Sequence, residues 1–324
     1  MKRRNFVQHS SAAFAGLSLL GLTNCGSSDN KSTEQNSSET ENALFFKLSL
    51  AQWSLHSQIK NGTLQHIEFA EKASEFGVDG LEYVSQLFPN EKFTDELIKE
   101  MNLRAEGEGL ANHLIMIDHN GDLGINDSNE RQQAINNHKQ WIDAAAALHC
   151  QSIRVNMAGD GTNEEIIMAG TESLSALSEY AAQYNINILV ENHGGFSSNI
   201  DELVKIFQQV NLPNCGALPD FGNWCIQKGK DEEGKEKCIN EYDRYKGVKL
   251  LMPHAKGGVS AKAKKFDENG NELTTDYTQM LKIVKDTGFK GYIGIEYEND
   301  DADMEDKGIR MTRELLIREG KKLI

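Results

Sequence analysis

Proline is scarce in this chain, with four residues in 324, and with only 28 glycines that excludes a collagen-like repeat or a proline-rich disordered chain. Long apolar runs are missing too: none reaches the ~20 residues that a membrane-spanning helix needs. Basic residues are outnumbered, 34 against 49 acidic, giving a formal charge of −15. Such a surface repels phosphate backbones and disfavours nucleic-acid binding. Cysteine is sparse as well, and its five residues include no CxxC pair, which argues against a thiolate zinc site. What remains is ordinary globular material, 39% hydrophobic and 26% charged, long enough for one large domain or two medium ones. A small neutral substrate, or one held through a metal, suits that charge.

Residues 1–24 have the layout of an export signal: Lys2-Arg3-Arg4, an apolar stretch around Ala12–Leu22, then small and polar residues. Arg3-Arg4-Asn5-Phe6-Val7 resembles the twin-arginine pattern, whose route exports folded proteins. Leu22-Thr23-Asn24-Cys25 resembles a lipobox, in which Cys25 would carry the lipid, although Asn24 departs from the small residue preferred there. Lipidation at Cys25 and simple cleavage both stay open. Residues 26–42 hold no large apolar side chain and cannot build a core, so 25–43 reads as a flexible polar tether. The expected location is outside the cytoplasm, in the periplasm or on a membrane reached only through that lipid. Cys150 and Cys215 open apolar runs and read as small buried residues. Cys225 and Cys238 flank a polar loop, and pairing after export is open.

From residue 44 onward β-rich runs alternate with helical patterns. The runs are Lys47–Leu55, Val78–Val84, His113–Asp118, Ser152–Met157, Asn187–Glu191, Asn214–Asp220, Val248–His254 and Tyr292–Tyr297. Helical periodicity fills Thr63–Phe76, Thr94–Gly107, Ser128–Leu148, Thr162–Tyr184, Ile200–Val210, Glu232–Tyr245, Thr275–Thr287 and Met304–Arg318. The repeated alternation predicts a single α/β domain over 44–324, a (β/α)8 TIM barrel. A doubly wound sheet is the alternative, but Trp53-Ser54-Leu55-His56-Ser57-Gln58 is nothing like its glycine-rich phosphate turn. Lys256–Thr274 reads as a polar hairpin above the barrel mouth, either a lid or a solvated loop.

Active sites of such barrels lie where strand C-termini meet. The last four runs close on Glu191, Asp220, His254 and Glu296. Each alone is a polar strand end. Together, three carboxylates and an imidazole point to a divalent cation that relieves their repulsion. Pro219 and Pro253 precede two of them and stiffen the backbone there.

The segments Val190-Glu191-Asn192-His193-Gly194-Gly195, Leu218-Pro219-Asp220-Phe221-Gly222-Asn223, His254-Ala255-Lys256 and Gly291-Tyr292-Ile293-Gly294-Ile295-Glu296-Tyr297-Glu298 resemble the xylose isomerase-like TIM barrels. That family comprises sugar phosphate isomerases and epimerases, with endonuclease IV as a distant branch. The likeness runs from Leu48 to Arg318 and includes Ile115-Met116-Ile117-Asp118 and Gly121-Asp122-Leu123-Gly124. It implies Glu191, Asp220, His254 and Glu296 as ligands of a divalent metal, Mn²⁺ first, with Mg²⁺, Co²⁺ or Zn²⁺ as substitutes. It also implies Glu191 and Glu296 as the acid/base pair, facing opposite sides of the substrate.

Strand geometry adds His193 and Lys256, two residues beyond the proposed ligands and on the same side of their strands. Both are candidates for binding substrate hydroxyls. Asn223 stands where many sugar epimerases of the family carry a substrate-binding His. Trp53 and His56 close the first run, Glu82 the second, and Arg154 lies on the fourth; these complete the candidate substrate contacts. Trp141, His138 and His149 have core spacing and read as structural.

The expected activity is a metal-dependent sugar isomerase or epimerase that moves a proton beside a carbonyl through an enediolate. The alternatives are a lyase or hydratase acting on 3-keto-glycosides in the same site, and a non-catalytic sugar-binding lipoprotein. The expected partner is a small sugar or oxidised glycoside. No phosphate cradle is visible, and the acidic body argues against the endonuclease branch.

Overall fold

A computed structural model describes residues 43–324. The export signal, Cys25 and nearly all of the tether lie outside these described residues. Eight parallel strands form one sheet: β1 (Lys47–Ala51), β2 (Gly80–Val84), β3 (Ala111–Met116), β4 (Ser152–Val155), β5 (Asn187–Glu191), β6 (Cys215–Leu218), β9 (Gly258–Ala263) and β10 (Tyr292–Tyr297). Their order is β6-β5-β4-β3-β2-β1-β10-β9. Single bridges from Ala217 to Ala255 and from Asp220 to Ser260 draw β6 and β9 together and nearly close the ring. The remaining strands, β7 (Cys225–Lys230) and β8 (Glu236–Glu241), make an antiparallel hairpin after β6. The helices are α1 (His56–Lys60), α2 (Phe69–Ser74), α3 (Asp95–Gly107), α4 (Ser128–Ala147), α5 (Asn163–Ala182), α6 (Ile200–Val210), α7 (Arg244–Leu251), α8 (Tyr277–Asp286) and α9 (Ala302–Lys321). This is the (β/α)8 barrel expected from the alternation.

Local chemistry sets the helix boundaries. Thr162 and Glu165 form a reciprocal capping box at the start of α5. On α6, Leu203, Ile206, Phe207 and Val210 bury one stripe, and Asn211 ends the helix in the left-handed region at φ 45°. Residues pointing outward from the strands, such as Leu50, Leu81, Ile153, Val190, Val259 and Ile295, join these helices in one continuous core. A second, small cluster of Ala51, Val84, Leu114, Met116, Leu189 and Leu218 fills part of the barrel interior.

Two elements differ from the sequence expectation. Val248–Leu251 lies in α7 rather than in a strand, and His254 ends a short 3-10 turn before the seventh barrel strand, β9, begins. Val248 and Leu251 are buried while Lys249 faces out, which is helical spacing in a piece too short to announce itself. The expected helix Glu232–Tyr245 is instead the turn and second strand of the β7–β8 hairpin, followed by the first two residues of α7. Every residue of β8 is exposed, so no apolar periodicity marked it. Cys225 and Cys238 are disulfide-bonded across this hairpin, while Cys150 and Cys215 are buried and free. Among the described residues, no helix is long and apolar enough to cross a membrane.

Candidate active site

Alternation along each strand sends every second side chain into the barrel. Six inward positions near the strand C-termini are filled by Arg154, Glu191, Asp220, Ser260, Lys262 and Glu296, all buried. Lower down, Glu82 accepts a 2.5 Å hydrogen bond from Ser49 Oγ. Gly294 makes room for it, since a Cβ there would sit 2.5 Å from Glu82 Oε1. Burial, with the nearby Glu296 and Glu191 charges, outweighs the Ser49 hydrogen bond and pushes Glu82 up to about 8.

Arg154 is the cation of one half of the centre. Its Nη1 donates to Asp118 Oδ1 at 2.7 Å, and its Nε lies 2.8 Å from Glu191 Oε2. Burial works against ionisation of Asp118, yet Arg154 holds that carboxyl well below the usual range. Glu191 is sealed from solvent and takes a 3.1 Å hydrogen bond from Asn223 Nδ2. Its burial, together with Glu296, prevails over Arg154 and raises it to about 7.

Lys262 is the cation of the other half. Its Nζ donates to Glu296 Oε1 at 2.7 Å and lies 3.6 Å from Glu298 Oε2. Burial disfavours its charge, but Glu296, Asp220, Glu298 and Glu191 together keep the ammonium above the ordinary lysine range. Burial likewise opposes ionisation of Glu296, and the Lys262 charge and hydrogen bond overcome it to lower its pKa. Ser260 Oγ stands 2.6 Å from Asp220 Oδ2 and 2.8 Å from Glu296 Oε2. A hydroxyl has one proton, so both contacts are attractive only when one of the two carboxyls is protonated. Asp220, raised by burial to about 7, is the one suited to hold it. Its Oδ1 accepts from the backbone N–H groups of Gly222 and Asn223 at 2.8 Å each.

Glu191, Asp220 and Glu296 bring one oxygen each within 4.8 Å of one another, a spacing that a cation can bridge. The rest of the donor set does not fit a divalent ion. His254, at the opposite end of β9, rests its ring 5.2 Å from that of Phe207 and is not among the residues lining the cleft. The seventh strand offers Ser260 and Lys262 instead. An ion bonded to Glu296 Oε1 at about 2.2 Å would lie no more than about 5 Å from the Lys262 ammonium. At an effective dielectric constant of ~20 that repulsion is roughly 7 kcal/mol, about half the apparent binding free energy of a tight structural zinc.

A cleft of about 950 Å³ opens above this cluster, at the upper end of small-molecule sites. All eight barrel strand ends contribute to it, and Trp53, Arg154, His193, Asn223, Lys262 and Glu296 are among its walls. Glu191 and Asp220 lie just beneath. In His193, partial desolvation and the Arg154 and Lys262 charges lower the pKa. Trp53 is backed by His56, stacked at 4.4 Å and 9°, so His56 supports the wall without forming part of it. Glu82 is likewise behind the cleft. Lys256 packs beside Gly216 near the start of β6, away from the mouth. The place expected for the Lys256–Thr274 hairpin is taken by β7–β8, whose Cys225, Ile226 and Lys228 line the cleft; nothing beyond Lys264 in the expected segment does. Of the expected structural residues, Trp141 is buried, His138 donates from Nδ1 to Ala134 O while also lining the cleft, and His149 is exposed.

Ser260, Lys262 and Asp118 were missed as site residues. For Ser260 and Lys262 the signal is the two-residue alternation of Val259-Ser260-Ala261-Lys262-Ala263, weak because two of its outward residues are alanines; Asp118 ends the third run and meets Arg154 only across the barrel. The apolar run just before that alternation is the stronger strand signal.

The profile of the family described as xylose isomerase-like TIM barrel matches residues 70–322. No curated protein matches the chain in sequence. Among solved structures, a D-tagatose 3-epimerase-like protein superposes with TM-score 0.65 at 18% identity, covering 86% of this chain and 100% of the other. The apo form of 3-keto-D-glucoside 4-epimerase from E. coli gives 0.60 at 13%, covering 84% and 99%. An IOLI protein with a binding zinc atom gives 0.65 at 13%, covering 86% and 99%. At these identities the likeness is one of fold.

Proposed function

The chain belongs to the xylose isomerase-like TIM barrel family, and from that premise we propose that it is an enzyme moving a proton next to the carbonyl of a sugar or oxidised glycoside. The observation that carries this reading is a buried group of carboxylates with divergent proton affinities at the strand ends. Glu296 borders the cleft and is held ionised, whereas Glu191, within 4.8 Å, is raised to about 7. A pair pushed apart in this way suits one base and one acid.

Glu296 takes the α-proton, and the C–H electron pair becomes the C=C of an enediolate. Glu191 is the reserve from which a proton returns. Return to the opposite face of the same carbon is epimerisation, and return to the neighbouring carbon is isomerisation. Loss of a β-substituent makes the same site a lyase. The cleft volume and the 3-keto-glucoside epimerase among the structural neighbours support an oxidised glycoside as substrate. Trp53 adds apolar surface to the wall, its ring already stacked on His56 and carrying the Lys60 ammonium 4.5 Å from its centroid, and His193 and Asn223 offer hydrogen bonds there.

The Cys225–Cys238 disulfide supports an oxidising compartment. That fits export directed by residues 1–24, with or without a lipid on Cys25.

The test is deuterium incorporation by NMR when the full chain is incubated in D₂O with ketoses and 3-keto-glycosides. Exchange beside the carbonyl that is lost in Glu296→Gln supports the reading. Absence of exchange over the whole panel, with the protein folded, turns it towards a sugar-binding protein.

A further inference from the structure

Lys262 is a buried ammonium, only 3% exposed, yet it borders the cleft. An ammonium has three N–H donors. Among the described residues, one hydrogen bond is made, to Glu296 Oε1; Glu298 Oε2 at 3.6 Å is beyond hydrogen-bonding reach. Two donors are therefore left without protein partners in a desolvated site. The stem is held in place: a Cβ on Gly222 would come within 3.0–3.1 Å of Lys262 Cβ, Cγ and Cδ, so that glycine forms a fitted bed for it. Ser260, one inward step below, links Asp220 to Glu296 and fixes the carboxylate that orients the ammonium.

We infer that this centre works without a divalent ion, and that Lys262 receives the carbonyl oxygen and an adjacent hydroxyl of an α-hydroxy ketone through its two free N–H donors. The inference rests on the proton-transfer reading above and names the electrophile and substrate class within it. When Glu296 takes the α-proton, the C–H pair forms the new double bond and the carbonyl π-pair moves to oxygen. That oxygen is held by N–H groups in place beforehand, which is where electrostatic stabilisation is most effective. Ser260 and Lys262 occupy the strand from which the resemblance leads one to expect an imidazole.

The experiment has two arms. In the first, metal content of the full wild-type chain is measured as purified, and Mn²⁺ binding is followed by EPR. No stoichiometric metal and no saturable site below millimolar Mn²⁺ is expected. Ser260→His combined with Lys262→Met, checked for folding by circular dichroism, is expected to gain one Mn²⁺ site. In the second, exchange of an active substrate is measured with and without a chelator. Wild-type exchange should be unchanged by the chelator, and Lys262→Met should slow it about 10²–10³-fold.

One equivalent of bound transition metal in the wild type, or exchange abolished by the chelator, overturns the inference. So does exchange that survives Lys262→Met undiminished. If no substrate exchanges at all, the proton-transfer reading fails, and the Mn²⁺ titration alone still decides whether Lys262 excludes the metal.

Discussion

Arg154→Met tests the electrostatic design of the centre most directly. The Arg154 side chain is 4% exposed and bonds Asp118 at 2.7 Å while its Nε lies 2.8 Å from Glu191. Methionine fills much of the space but leaves two carboxylates without their cation. Removing one member of a buried ion pair costs about 3–5 kcal/mol. For a domain of this size that is a fall in Tm of roughly 10 °C. The pH dependence follows from the shifts. Asp118 is depressed in the folded wild type, so its contribution is present above its unfolded pKa and is lost only as pH falls through the folded value. Without Arg154, burial dominates and raises both carboxyls, so the folded variant binds protons that the unfolded chain has released. The variant therefore loses stability as pH rises, and the deficit should be larger at pH 8 than at pH 5. Urea unfolding at the two values measures it, with an unchanged m confirming the same two states. Asp118→Asn added to Arg154→Met should recover part of the loss. A deficit under about 1 kcal/mol, or one that shrinks towards pH 8, would refute the reasoning.

Glu82→Gln keeps shape and removes a charge from a carboxyl raised to about 8. A raised acid costs stability as pH climbs from its unfolded value, so the variant should match the wild type near pH 5 and exceed it by roughly 1–3 kcal/mol at pH 8, read by urea melts. Gly294→Ala places a Cβ against Glu82 Oε1, and overpacking of this kind should cost about 1–3 kcal/mol in the same assay. Reduction of Cys225–Cys238 should expose the β7–β8 hairpin to limited proteolysis within 226–237 while the barrel's thermal transition stays within about 2 °C, because that hairpin is largely exposed. Trp53→Ala should raise KM for an active sugar about tenfold and leave kcat within about twofold, as expected for loss of uniform binding.

The sequence disclosed most where burial and chemistry coincided. β5 ends on a glutamate, β10 carries one next to its last residue, and β6 leads to Asp220 two residues beyond its end. In a parallel barrel both faces of such a strand are covered, so a carboxylate at its end has to face the cleft or find a partner. That logic located Glu191, Asp220 and Glu296. It failed on the seventh strand because the strongest apolar stretch there, Val248–Met252, belongs mainly to a two-turn helix, while the true strand carries Ser260 and Lys262 inward and alanines outward. A lysine inside a barrel does not look like a core residue until its counter-charges are known, and those lie 34 to 71 residues away along the chain. The same non-locality hid the pairing of Arg154 with Asp118, since neither residue reveals the other along the chain. Residue type at strand ends therefore pointed to where the chemistry sits, but the sign and source of the compensating charge depended on which side chains meet across the barrel. It is this compensation, an ammonium and a guanidinium set among carboxylates, that separates the centre from a three-carboxylate metal cradle.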